Sequence, residues 1–476
     1  MPELTPMSHQ HLEGDDVQNM VQDSVSDDDF IDTTDSTELE NDEIMDSSDT
    51  SSDTEDSGSS VEDLWEDDDF ATEEVWTMER QNVGFSPYKN KDKCYTPDEA
   101  TRPFDFYKIF FTQDFLIEVV NSTNEYAAAL LAAGGENIHS WDTLTLPEFE
   151  TFLGTFFVMG SVRMKNISEY WDVDPDWIDF YPRHFIAKKR FLAIFKCLRF
   201  GRDHTNGLID YFNKKMIGIF TPEADLTIDT HYINFNSRQK FKLHRLATAS
   251  GIILKIAKHK TSDEEDDKQM MRNKIVKELL EEYLNTGRHV YMDKYYNNLN
   301  LATWLVKTKT NVTGLLYPRK ESDPRVVVAA KLKKAGSIHR YSSIGICICK
   351  WHDDEDILAL SSVHGPARKF LPKKRQRGKV LGYPDMSIKY YETMTKLDTY
   401  DLLMDYYVLK MKWMAKDKKI GLHILQIMLL NSFLLYKLKK NKPRLSYHRF
   451  RNSVFISFLP MHLIPLNQPA DCVEAA

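Results

Sequence analysis

Cysteine is scarce: five residues in 476, at Cys94, Cys197, Cys347, Cys349 and Cys472. So few and so scattered, they cannot form a disulfide framework, and a reducing, intracellular compartment is expected. The first thirty residues contain neither a basic n-region nor an apolar h-region, so no secretory signal is expected. Long hydrophobic runs are missing as well. The most apolar stretch, Leu422–Tyr436, has 15 residues and includes His423, Gln426, Asn431 and Ser432, too short and too polar to span a bilayer. No internal repeat is visible. Secreted, membrane-spanning and collagen-like classes are excluded. Positive charge is absent from one end: residues 1–79 hold 28 acids and no Lys or Arg. The remainder carries 44 acids against 61 Lys and Arg, a local +17 hidden under a formal net charge of −11. An acidic tail on a basic body points to polyanion or chromatin partners.

Composition divides the chain. Residues 1–100 read as a disordered acidic tail, too poor in large apolar side chains to offset the entropy of ordering. Leu64-Trp65 and Val75-Trp76 are aromatic islands within it. From Phe104 to 222 the chain reads as a helical, locally basic module. Its helices are expected at Asp114–Leu131, after Thr145 with Pro147 in the first turn, and at Pro182–Leu198. From 223 to 317 the period changes. Leu226–Asp229, Ile252–Ile256, His289–Asp293 and Val312–Leu316 read as strands, and Ile275–Tyr283 and Leu299–Val306 as helices. Residues 318–385 form a mixed, β-rich insertion, with strands around Ile344–Trp351 and Ile357–Ser362 and a basic loop at Pro372–Lys379. Residues 386–404 and 405–460 return to helix, one helix carrying Asp398 and Asp401 and another spanning Ile420–Lys439. Residues 461–476 are a short tail.

Two predicted strands end in an acid, Asp229 and Asp293, where open α/β sheets place their sites. Asp398, from a helix, completes a candidate cluster. Three converging carboxylates repel one another unless cations bind, and hard oxygen ligands suit Mg²⁺ in phosphoryl transfer. The alternative for any single acid is a solvated surface charge.

The surrounding residues resemble the piggyBac transposase family. Leu226-Thr-Ile-Asp229, Asp293-Lys-Tyr-Tyr296 and Tyr391–Asp401 carry the likeness. Phe110-Phe111-Thr112, Glu148-Phe149 to Gly160, Tyr170-Trp171, Lys189-Arg190-Phe191 to Leu198-Arg199-Phe200, Trp351-His-Asp-Asp354 and Asn431–Tyr436 follow in the family's order. The resemblance covers about 105–450. It implies an α/β fold: an RNase H-like catalytic core, a helical dimerisation and DNA-binding module, and an insertion before the last catalytic helix. It also implies an Asp-Asp-Asp triad at Asp229, Asp293 and Asp398, a further acid at Asp401, and two Mg²⁺ ions for cutting and joining DNA.

Departures from the family pattern are specific. The first acid is followed by Thr230 where the family has Glu, and the second by Lys294 where it has Asn. A lysine there competes with a cation unless it points away. Met394-Thr-Lys-Leu-Asp398 replaces a motif with two glycines. A basic stretch appears as Ala247-Thr-Ala-Ser-Gly251-Ile-Ile253 without its cations, and an acidic loop, Thr261–Asp267, takes the place of a following strand. That leaves open an incomplete sheet. No cysteine-rich zinc domain follows the triad, so no zinc is expected.

Other signals each have two readings. Lys373, Lys374, Arg375 and Arg377 form a nuclear-import run, or else a phosphate-binding loop or plain surface charge. Cys347, Cys349 and Trp351 share a strand face, as a zinc site with nearby histidines or as small residues packing on a sheet. Lys188, Lys189, Arg190, Lys196 and Arg199 form a DNA-backbone surface or a solvated face. The expectation is a nuclear, domesticated piggyBac-derived protein that binds DNA or chromatin with impaired transposition. The alternatives are an active Mg²⁺-dependent transposase and an acidic-tailed scaffold. DNA is the expected partner, basic proteins and a second copy are open, and no membrane is expected.

Overall fold

Local chemistry starts the helices. Backbone N–H groups of Thr101 and Arg102 donate to Asp105 Oδ2 (3.0 and 2.8 Å) at the start of α1, Pro103–Phe110. Thr112 caps α2, Gln113–Ala132, and Thr145 caps α3, Leu146–Met159, which has a proline in its first turn. α4, Lys188–Cys197, follows a short 3₁₀ turn at Pro182–His184. The continuous helix expected from Pro182 is therefore broken. α5 is His204–Ile219. Apolar rings close this layer: Phe152 packs on Phe191 (centroids 4.9 Å apart), and Phe156 on Phe195 (6.0 Å).

The structure, a computed structural model, describes residues 75–80, 87–133, 140–162, 164, 166–172, 182–201, 204–235, 239–259, 265–319, 322–334, 336–352, 354–376, 379–409, 414–440 and 445–459. For 172, 204, 265–268, 368–376, 379–382 and 440 it describes the backbone alone. Residues 1–74, 260–264, Arg377 and the tail from 460 lie outside the described residues; of the acidic loop expected at Thr261–Asp267, the described part from Glu265 is helix by backbone.

A mixed sheet follows the helices. Its strands are β1 Asp225–Asn234, β2 Lys240–Thr248, β3 Ile253–Lys258, β4 His289–Met292, β5 Asn311–Leu315, β6 Ser337–Tyr341, β7 Cys347–His352 and β8 Asp356–Ser361. Their order across the sheet is β3-β2-β1-β4-β5-β8-β7-β6. β1, β2 and β3 are antiparallel neighbours, while β4 and β5 run parallel to β1. α6, Glu265–Leu280, connects β3 to β4, and α7, Leu299–Lys307, connects β4 to β5. This is an RNase H-like arrangement. It corrects the idea of an incomplete sheet: Ile253–Lys258 supplies the edge strand next to β2, and β2 is a strand that the sequence reading passed over. The strands of 337–361 extend the same sheet, because β8 pairs antiparallel with β5.

Both sheet edges are covered. On β3, Asn431 accepts from Ile253 N–H (3.1 Å) and donates to Ile253 C=O (2.7 Å). Asn213 does the same for Ile256, at 2.9 Å each way. Each side-chain amide stands in for the next strand, so the edge offers no free ladder. On β6, Thr77 exchanges two backbone hydrogen bonds of 2.9 Å with Tyr341.

α8, Asp385–Tyr406, is 22 residues long and crosses the sheet. α9, Lys416–Lys440, has 25 residues and is long and apolar enough to cross a membrane, longer than the apolar stretch suggested. Residues 420–436 are instead buried inside the protein. α10, Tyr447–Ile456, and α9 pack back on the first helices, with Tyr436 edge-on to Phe106 (5.2 Å) and Phe455 stacked on Phe157 (4.9 Å). The basic run expected as a loop is strand by backbone, Arg368–Gln376, paired with Lys379–Pro384. Cys347, Cys349 and Trp351 form a small packed cluster with Tyr341, Ala359 and Met386.

Candidate functional site

The parallel pairing of β1 and β4 sets the position of two acids. The register ends at Ile228 opposite Met292, so Asp229 and Asp293 are the next residues on neighbouring parallel strands. Asp293 does close its strand. Asp229 does not: it lies in the middle of the ten-residue β1, which continues to Asn234 in antiparallel pairing with β2. That continuation decides the chemistry. It places Arg245 of β2 directly opposite Asp229, and directly paired residues project from the same sheet face.

Arg245 is fully buried, and its guanidinium is divided between two carboxylates. Nε donates to Asp229 Oδ1 (3.1 Å), and Nη2 donates to Asp229 Oδ2. Nη1 donates to Asp401 Oδ1 (2.6 Å), and Nη2 also to Asp401 Oδ2 (2.7 Å). One planar cation thus bridges β1 and α8 through all four carboxylate oxygens. His231 Nδ1 adds a contact to Asp401 Oδ2 at 3.2 Å, and its ring stacks on His423 of α9, 4.5 Å away. Burial alone favours neutral forms, but the opposed charges outweigh it. Burial works against the Arg245 charge, yet Asp229 and Asp401 hold its pKa above the usual value. Burial works against the Asp401 charge too, yet Arg245 and then His231 hold that carboxyl well below the usual range. His423 is fully buried and kept neutral, first by burial and then by the charges of His231 and Arg245.

Asp293 is in a different state. Burial lifts its pKa to about 6, the Tyr295 N–H (2.9 Å to Oδ1) offsets part of this, and the Asp229 charge adds to the rise. Lys294 does not fill the cation's place. Its Nζ lies 4.9 Å from the Tyr317 ring centroid and lines a cavity with Tyr317 and Tyr391. Tyr296, from the same motif, holds the backbone of Asp229: its hydroxyl donates to Asp229 C=O (3.0 Å) and meets Thr230 Oγ1 at 2.6 Å.

Asp398 lies exposed on α8. Tyr390, one of the buried residues of that helix, senses all three expected triad members. Burial pushes its hydroxyl well above the usual value, and Asp293, Tyr391, Asp398 and Asp229 push it further. Asp229, Asp293 and Asp398 therefore share one neighbourhood. Among the described residues no group of three or more His, Cys, Asp or Glu side chains is arranged to hold a metal ion. Asp229 and Asp401 direct both of their oxygens at Arg245. The residues present do not fit the two-Mg²⁺ site that the resemblance implies, and Asp401 is a partner of Arg245 and His231 rather than of a metal.

The expected DNA-binding cations sit on or just after α4, each in its own setting. Arg190 forms a two-pronged pair with Glu148 of α3 (2.6 and 2.7 Å) and lies over Trp141. Lys188 donates to Ser168 Oγ (2.8 Å), and Arg199 lies 3.6 Å from the Tyr126 ring centroid. Lys196 is half-buried, and Lys189 is exposed. The side chains of Lys373, Lys374, Arg375 and Arg377 lie outside the described residues. Arg245 was missed by sequence reasoning. Its signal was present: an arginine inside an apolar run, Leu243-His-Arg-Leu-Ala247, needs a buried counter-charge wherever that run is a strand.

With this geometry established, three comparisons bear on its origin. A family model described as Transposase IS4 matches residues 102–433. The chain is 22% identical over 402 residues to the human PiggyBac transposable element-derived protein 3, covering 76% of this chain and 65% of the relative. It is also 22% identical over 402 residues to the human Chimeric ERCC6-PGBD3 protein, covering 36% of that relative. The chain thus spans less than two thirds of the length of either. The fold is similar to that in a cryo-EM structure of the piggyBac transposase synaptic complex with hairpin DNA, with a TM-score of 0.62 over 79% of this chain and 84% of that chain, at 16% identity.

Proposed function

Because this chain belongs to the Transposase IS4 family, of the piggyBac type, we propose that it is a domesticated, transposable element-derived nuclear protein that binds DNA or chromatin and does not cut it. The observation that carries this reading is the Arg245 clamp. An in-line phosphoryl transfer in the family requires carboxylates free to hold divalent cations. Here the first acid of the expected triad holds a guanidinium instead, one already engaged by Asp229 and Asp401, and a guanidinium has no coordination position in which to bind and activate an attacking water. The +17 body supplies long-range attraction to a phosphate backbone. The basic run at 373–377 suits nuclear import, and the acidic residues 1–79 suit basic chromatin proteins.

Asp293, half-protonated near pH 6 and next to the clamp, suits a proton donor or acceptor. The test uses the full chain with supercoiled plasmid in Mg²⁺ or Mn²⁺ buffer, beside an Asp293→Ala variant. DNA binding at low salt without nicking is the expected result. Metal-dependent nicking that disappears in Asp293→Ala overturns the proposal in favour of an active transposase. Absence of DNA binding at low salt overturns it in favour of a scaffold.

A further inference from the structure

The opposite face of β1 and β2 carries a second arrangement with no part in the clamp. Alternation along the strands puts Asp229 and Arg245 on one face and Tyr232, Lys240 and Lys242 on the other. Tyr232 lies directly opposite Lys242, with Lys240 one pair further along the same face. The Tyr232 ring is 47% exposed, and both lysine ammonium groups approach it, Lys240 at 5.9 Å and Lys242 at 5.8 Å from the centroid. Lys242 also stands over Tyr295, 4.5 Å from its centroid, and donates to its hydroxyl at 3.1 Å. Arg272 of α6 covers the same ring at 4.4 Å. The result is an alternating row: Lys240, Tyr232, Lys242, Tyr295, Arg272. It runs from the tip of the β1–β2 hairpin to the motif that contains Asp293.

Cation–π contacts of this kind are weak at exposed sites, so mutual stabilisation alone is a poor reason to gather three cations. The field they create is felt nearby. His259 has its pKa lowered by burial and then by Lys242 and Arg272. Three like charges concentrated within one row, with an exposed ring among them, suit a partner that alternates negative charge with flat apolar faces.

We propose that this row binds single-stranded nucleic acid, with phosphates on Lys240, Lys242 and Arg272 and an unstacked base on Tyr232. A duplex keeps its base faces inside the helix and cannot use the exposed ring. A single strand offers a phosphate and a base face in each repeat, which is the spacing of chemistry seen here. The inference rests on the DNA-binding reading above and adds a partner class and a surface.

The test measures fluorescence anisotropy of the full chain with a labelled oligothymidylate and with a hairpin duplex, across a salt series. Wild type is expected to bind the oligothymidylate with a log–log salt slope near ~−2, from about −0.7 per neutralised phosphate over three cations. Tyr232→Ala is expected to weaken it roughly tenfold or more while leaving duplex binding within error, since base–ring stacking is worth about 1–3 kcal/mol. Lys240→Glu is expected to weaken single-strand binding and flatten the slope. Tyr232 and Lys240 are both exposed, so their variants fold, and circular dichroism checks this. Duplex binding without single-strand binding, or single-strand binding indifferent to both substitutions, overturns this inference and leaves the DNA-binding reading standing. Failure to bind either ligand overturns both.

Discussion

Replacing Arg245 by methionine tests the central feature directly. Methionine keeps most of the side-chain volume and removes the cation, so cavity effects stay small. The substitution deletes four N–H···O contacts and leaves the Asp229 and Asp401 carboxylates, each largely buried, facing one another across the space of a fully buried side chain. Removing one partner of a buried ion pair costs about 3–5 kcal/mol, because the remaining charge is uncompensated. Here two acids are left, so the upper end of that range is expected at pH 7 in urea denaturation. The pH dependence carries a sign. In wild type the Asp401 pKa is depressed below its unfolded value of about 3.9. Its contribution is therefore fully present above that pH and lost as pH falls through the folded pKa. In Arg245→Met the two acids repel, their folded pKa values rise, and stability is lost as pH climbs above about 4. The difference between wild type and variant should therefore shrink from neutral pH toward pH 4. A second substitution, Asp401→Asn, should recover part of the loss. A loss below about 1 kcal/mol, the range of exposed pairs, refutes the clamp. So does a variant profile parallel to wild type.

Other expectations follow from the same geometry. Millimolar Mn²⁺ should leave the melting temperature of wild type unchanged and raise that of Arg245→Met, whose acids are then free for a cation; a Mn²⁺ shift in wild type that Asp229→Asn abolishes counts against the clamp. Asp293→Asn should stabilise the protein at pH 7 by about 1–3 kcal/mol, since the raised pKa of about 6 means wild-type stability falls as pH rises from about 4 to 6. That gain should vanish below pH 4 in denaturation measurements. Asn431→Ala should cost about 2 kcal/mol or more and speed hydrogen exchange at Ile253, because it strips partners from a buried N–H and C=O on the β3 edge. Deleting 1–79 should tighten DNA binding at low salt if the acidic segment screens the basic body, and unchanged affinity removes that role.

Much of the element plan was legible. The Thr145 cap and Pro147 marked the start of α3, and the Leu226–Asp229 and His289–Asp293 runs marked β1 and β4, because capping and apolar clustering act within a few residues. Where reading failed, a local signal was masked. Lys240, Lys242, His244 and Arg245 interrupt the apolar pattern of β2, so a strand read as connecting chain. Gly251 was noticed only for the cations lost around it. In the structure it adopts φ +93° in the turn between β2 and β3, where any Cβ would meet the Tyr400 ring at 2.3 Å. The Pro372–Lys379 run looked like a loop from its charge and its flanking proline and glycine, yet its backbone up to Gln376 belongs to the strand Arg368–Gln376, with Arg375 and Gln376 paired to Val380 and Lys379.

The sequence by itself determined the family, the α/β class and the order of the acids, since these rest on short motifs and on periodicity along the chain. Only the tertiary structure decided what the acids do. The partner of Asp229 depends on hairpin register, and a shift of one residue would turn Arg245 to the other face. The reach of Asp401 to the same guanidinium depends on how α8 crosses the sheet. Electrostatic neutralisation is set by distance in space and by burial, and neither is written in residue order.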